Sequence, residues 1–267
     1  MNTMSRRVRA AALVLPVLLV ASAGCDIAMA GHKQKETAEW RKSYELQPGG
    51  TLEISNVNGK IDVHPATGNT VEILAVKSAK AVSSDAAKQA LERIEIQETT
   101  SPSGVRLVTR MQRGSGLFGG GGLEVHYTVR IPPGAEVKLT TVNGGIEVTG
   151  LSGRITAETT NGGIKAHDVG GTIDASTTNG GVDVELSQVS DGGVKLGCTN
   201  GGISLRLPSG ANATISARIT NGGIDTSGVQ IDRTGESSKR RLDGTMNGGG
   251  PRIELEGTNG GIRISGR

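Results

Sequence analysis

Apolar and polar residues alternate with period two along most of the chain. Val137, Leu139 and Thr141 recur as Ile155, Ala157 and Thr159, as Ile173, Ala175 and Thr177, as Val194, Leu196 and Cys198, and as Ile215, Ala217 and Ile219. Such alternation predicts short strands with one buried face. Each run ends at an asparagine (Asn143, Asn161, Asn179, Asn200, Asn221) followed by glycine, and a second alternating run then begins: Ile146 and Val148, Ile164 and Ala166, Val182 and Val184, Ile203 and Leu205. Asn58 and Asn259 mark two further copies. From Asn143 onward the asparagines are 18, 18, 21, 21 and 38 residues apart, and the last interval holds an irregular Met246-Asn247-Gly248-Gly249-Gly250. A second set of turns falls opposite the first, at Ser152-Gly153, Gly170-Gly171 and Asp191-Gly192. The unit is therefore two strands and two tight turns, repeated.

Two all-β folds accommodate this unit. Asn-Gly between alternating strands is a hairpin signal, which would give an antiparallel meander. The other fold is a right-handed parallel β-helix, or β-solenoid, of about 18–21 residues per coil, each coil stacked roughly 4.8 Å above the last. The solenoid is favoured on three grounds. A single sheet of a dozen strands would need a second layer that the chain does not supply. Stacked coils would align the turn asparagines into a side-chain ladder, and asparagine tolerates a left-handed backbone. Glu147, Lys165 and Asp183 alternate in sign at one position of the repeat, so they become neighbours only if successive coils touch.

Leu52, Ile54, Val57, Asn58, Gly59, Ile61 and Val63 already follow the pattern, so the first coil starts early. Residues 64 to 135 interrupt it with strands expected around Val71–Val76, Ile94–Gln97, Val105–Met111 and Leu123–Ile131. A short helix is expected from Ser84 to Ile94, capped by Ser83, and a surface loop over Gly114–Gly122. This divides the chain into 1–24, a leader; 25–45, a polar tether; 46–135, the first coil with a strand-rich insertion bearing one helix; and 136–267, the solenoid repeats.

Composition sharpens the fold more than the function. The chain has 42 glycines but only four aromatic residues, Trp40, Tyr44, Phe118 and Tyr127. A core without large rings must be narrow and filled by small and β-branched side chains. Arg6, Arg7 and Arg9 precede an apolar run from Ala10 to Ala23, shorter than the ~20 residues of a membrane span and typical of an export signal. The leader carries the whole positive excess: the rest has 26 basic and 26 acidic residues, which argues against nucleic acid as a partner. Ser22-Ala23-Gly24-Cys25 resembles a lipobox, making Cys25 the expected lipidation site. Cleavage after Ala30, in Ala28-Met29-Ala30, is the alternative and would release a soluble periplasmic or secreted protein. Cys198 is then a lone cysteine, expected as a small buried residue.

The ordered motifs, from Leu52-x-Ile54-x-Asn56-Val57-Asn58-Gly59 through Ile131-Pro132-Pro133-Gly134 to the tandem Thr-x-Asn-Gly-Gly units, resemble a bacterial β-strand-repeat family of unknown function, often labelled adhesin-like. The resemblance covers nearly all of residues 40 to 267 and implies a solenoid-like architecture outside the cytoplasm.

Catalytic chemistry finds little to stand on. His32, His64, His126 and His167 are dispersed without metal-ligand spacing, so no catalytic, cofactor or metal residue is assigned. Thr160, Thr178, Thr199, Thr220 and Thr258 each precede an asparagine, where hydroxyl-to-backbone bonding is the ordinary role. Lys239-Arg240-Arg241 reads as part of a solvated loop within Asp232–Asp243. The expected function is a non-catalytic, lipid-anchored envelope scaffold or binding module whose partner is a protein or polysaccharide of the cell envelope, and an oligomer is compatible with it. Alternatives are a carbohydrate-active β-helix enzyme, lyase or hydrolase, and an accessory protein of an envelope stress or signalling system.

Overall fold

The Asn-Gly corners do not fold a strand back against its neighbour; they carry the chain from one sheet face to another. The computed structural model describes residues 33–101, 103–112, 122–234 and 238–267. The leader, Cys25, the Ala30 cleavage site, His32 and residues 114–121 of the expected loop lie outside the described residues. In chain order the elements are β1 (Gln34–Glu45), β2 (Thr51–Ser55), β3 (Ile61–Pro65), β4 (Thr70–Ala81), α1 (Ser84–Leu91), β5 (Ile94–Ser101), β6 (Gly104–Met111) and β7 (Gly122–Ile131). The repeats supply β8 (Glu136–Asn143), β9 (Ile146–Thr149), β10 (Ile155–Asn161), β11 (Ile164–Val169), β12 (Ile173–Asn179), β13 (Val182–Leu186), β14 (Val194–Asn200) and β15 (Ile203–Leu207). Then follow β16 (Ala213–Asp225), β17 (Asp232–Arg233), β18 (Arg241–Met246) and β19 (Arg252–Gly266).

Equivalent strands pair in parallel and in register. Ile155 lies between Val137 and Ile173, and Ile164 between Ile146 and Val182. The coils are therefore those of a solenoid, and the meander is discarded. Antiparallel pairing is confined to the ends, where β1–β4–β7 and β5–β6 close one end and β16–β18–β17 the other. Such caps keep long parallel edges from being left open for another chain to pair with.

The coils do not stack in sequence order, as the repeat had suggested. The first face runs β5–β6–β2–β8–β10–β12–β14–β19–β16–β18–β17, and the second runs β1–β4–β7–β3–β9–β11–β13–β15–β19–β16. The C-terminal strand β19 is thus inserted between the coil of β14 and β15 and the later coil of β16. At the other end β2 and β3 lie between β6–β7 and β8–β9. The cause is that every coil presents the same apolar columns, so the pattern specifies a coil without specifying its neighbours. The segment read as an insertion is likewise an integral coil, built from β6 and β7.

Residues 34–45, expected as tether, form β1, paired along its length with β4. Helix α1 begins at the expected cap, where Ala86 N donates to Ser83 Oγ at 3.2 Å, and buries Ala87 and Ala90. Within the polar stretch Asp232–Asp243, residues 238–243 join the cap: Lys239 and Arg240 carbonyls accept from Ile224 N and Ile219 N at 3.0 Å each.

Inside, the strands contribute apolar columns such as Leu52, Val137, Ile155, Ile173, Val194, Ile253 and Ile215 on the first face. A third inward column is polar. Thr159 and Thr177 hydroxyls donate to Gly144 O and Gly162 O at 2.9 and 2.8 Å, and Cys198 Sγ lies 3.1 Å from Gly180 O. Each side chain satisfies a corner carbonyl of the adjoining coil, which is why a hydroxyl can be buried there at little cost. Cys198 is buried as expected, and it takes the place of one of these threonines.

Candidate functional site

The corner asparagines form a ladder along one edge of the solenoid. Asn143 Nδ2 donates to Asn58 Oδ1, Asn161 to Asn143, Asn179 to Asn161, Asn200 to Asn179, Asn259 to Asn200 and Asn221 to Asn259, all between 2.8 and 3.0 Å. Every amide points the same way, and Asn58 Nδ2 ends the run on Leu123 O at 3.1 Å. The seven predicted asparagines are brought together, but their backbones are not left-handed. Positive φ falls instead on the glycines that follow, Gly144 excepted, as in Gly180 at +149° and Gly260 at +140°.

That first glycine has no substitute. A Cβ on Gly180 would lie 2.0 Å from Gly162 O, and one on Gly260 would lie 1.8 Å from Gly201 O. The second glycine faces outward, with more room: a Cβ on Gly181 would sit 3.5 Å from Gly202 O. Gly163, Gly181, Gly202, Gly261 and Gly223 therefore floor a shallow trough of about 500 Å³ on the second face, walled by Lys165, Asp183, Ser204, Arg263 and Asp225. The wall continues the charge row expected from Glu147, Lys165 and Asp183, which are indeed neighbours. Where Asp62 and Glu147 adjoin, Lys60 Nζ bridges them at 2.7 and 2.8 Å. Its hydrogen bond holds the Glu147 carboxyl below its usual range; partial burial opposes the Lys60 charge, but hydrogen bonds to Asp62 and Glu147 outweigh it and raise that pKa.

The first face carries a groove of about 690 Å³. One side is the column of Thr160, Thr178, Thr199, Thr258 and Thr220. The other is Thr140, Glu158, Ser176, Gly197, Glu256 and Arg218, and the groove crosses all six coils from β8 to β16. The expected hydroxyl-to-backbone bonds are made by the inward Thr141, Thr159 and Thr177, because strand alternation turns the neighbouring threonines out to line the groove. Glu158 and Glu256 are three rungs apart, about 14 Å at a ~4.8 Å rise. His64, His126 and His167 lie on separate strands, and among the described residues no three metal-ligating side chains converge.

These columns define the class of protein: an all-β solenoid whose surface features are long tracks across coils. The Toastrack family model (DUF4097) matches residues 33–265. The chain belongs to that family. Its fold is similar to that of a candidate cell adhesion protein from Clostridium sporogenes, at 13% identity and a TM-score of 0.52, covering 87% of this chain and 100% of that one. A candidate adhesin from Bacteroides fragilis aligns at 10% identity and a TM-score of 0.35 over 86% of this chain and 97% of its own, a likeness too low to carry an argument. No curated protein matches the chain in sequence.

Proposed function

We propose that this protein is a non-catalytic, adhesin-like binding module of the cell envelope, held to a membrane through acylated Cys25, and that it grips an extended, hydroxyl-rich polymer along the first-face groove. The observation that carries this reading is the groove's unbroken course over six coils, which presents hydrogen-bonding side chains at every rung. A periodic track suits a periodic ligand such as an envelope polysaccharide. The ~14 Å between Glu158 and Glu256 exceeds the roughly 5–9.5 Å over which paired carboxylates cleave glycosides, which supports binding over hydrolysis. Adhesion in the name of the Clostridium protein agrees with the same reading.

Gly197 offers a clean test, because it faces the groove and a Cβ there would meet Ser176 Cβ at an ordinary 3.4 Å. Gly197→Arg should fill the groove without changing the melting temperature and should abolish co-sedimentation with peptidoglycan sacculi or purified envelope polysaccharide. Equal binding by both proteins, or none by the wild type, overturns the groove assignment. Separately, Cys25→Ser should move the protein from the membrane to the soluble fraction; continued partition with membranes would exclude the lipid anchor.

A further inference from the structure

The inserted strand β19 has two neighbours, both of which precede it in the chain. On the first face Ile253 and Leu255 lie between Val194 and Leu196 of β14 and Ile215 and Ala217 of β16; on the second, Ile262 lies between Ile203 and Ile224. The chain lays down β16, leaves through β17 and β18, and only then returns to fill the gap. Ile215, Ala217, Asn221 and Ile224 present the repeat's columns, and what fits β16 to β19 is Ile219 packed over Gly257 and the Asp225–Arg263 ion pair at 3.4 Å. The link from β15 to β16, residues 208–212, must therefore span two rungs, about 10 Å. The segment before β19 is a tight turn of three successive left-handed residues, Asn247 at +49°, Gly248 at +84° and Gly249 at +91°, closed by Gly249 N donating to Met246 O at 3.0 Å.

From this arrangement we infer that the space between the β14–β15 coil and the β16 coil is a strand-acceptor site, and that a second copy of this chain can fill it, giving a dimer in which residues 252–266 are exchanged. Every parallel pairing of β19, its ladder amides to Asn200 and Asn221, and the terminal bond from Arg267 N to Leu207 O form equally well whichever copy donates the strand. Only the turn at Asn247–Gly249 differs between the closed and exchanged forms, and exchange of identical elements closes a two-fold dimer. The inference stands independently of the ligand proposed for the groove.

Deleting Gly248 and Gly249 from the full chain should prevent β19 from returning into its own slot, as strained hinges favour exchange. Light scattering should then show a shift from monomer to dimer mass, with the β-sheet circular dichroism and melting transition retained. A folded monomer would overturn the proposal. If the deletion prevents folding, the full chain can instead carry a protease site between Gly249 and Gly250 and be cleaved after folding. Incubation just below the melting temperature with labelled peptide 251–267 should incorporate the label into folded protein. Folded, nicked protein that takes up no peptide would overturn the acceptor site.

Discussion

Glycine serves two purposes at the two positions of each Asn-Gly-Gly corner. The first, as at Gly180, combines a left-handed φ with a backbone carbonyl where its Cβ would be. Gly180→Ala should cost roughly 2–4 kcal/mol, the range of strain and overpacking combined. Gly181→Ala should be within about 0.5 kcal/mol of wild type, since it restricts the unfolded chain and meets only ordinary contact; urea denaturation of the pair gives the comparison, and equal losses would refute the assignment of roles. The repeat showed both positions as glycine, and only the stacking of coils separates a necessity from an open surface. Tyr127 makes a second residue-scale prediction. It is fully buried beside Thr109 Oγ1, 2.7 Å away, and burial pushes its phenol from 10 up to about 12. Between those pH values the unfolded chain ionises while the folded one does not. Stability present below pH 10 should therefore fall by about 2–3 kcal/mol as pH rises to 12. Tyr127→Phe should remove that part of the alkaline loss in melting curves taken across this window.

At the scale of elements, the ladder's direction matters. Asn179 donates to Asn161 and accepts from Asn200. Asn179→Asp keeps the acceptor but sets oxygen against oxygen at Asn161, so it should destabilise by about 1–2 kcal/mol and by more than Asn179→Ser, measured by thermal unfolding at pH 7. Strands β8 to β15 were legible in the sequence because each buries one face and so alternates. The helix was legible through Ser83 and the spacing of Ala87 and Ala90. Strand β1 was not. It lies at the edge of the sheet, and its half-buried residues Glu36, Trp40 and Tyr44 are four apart, so no period-two signal marks it. Tyr44 closes that end by donating to Glu98 Oε2 at 2.9 Å.

For the whole molecule, periodicity specified the coil but left the order of coils open. The first two inward columns are apolar in every coil and leave the neighbour open, so the insertion of β19 rests on connectivity and on local fits such as Ile219 over Gly257. Paired cysteines read that order directly. Ser204→Cys with Arg263→Cys places adjacent-rung residues about 4.8 Å apart and should oxidise readily. Ser204→Cys with Asp225→Cys spans two rungs, about 9.6 Å, beyond disulfide reach. The reverse result would mean that β16 stacks directly on β15. The groove was only partly legible: the threonine column was visible, but its outward course depends on which neighbouring column turns in.

The stacked corners also constrain how such a gene can change. Each Asn-Gly corner between β8 and β15 contains two residues, whereas the opposite corner varies, with three residues between β11 and β12 and seven between β13 and β14. An insertion at Gly162-Gly163 would lift one rung off the carbonyls of the next, while several extra residues at Ser187–Gly193 simply bulge outward. Evolution can therefore vary one edge of this protein freely, but along the other it must add or remove whole turns.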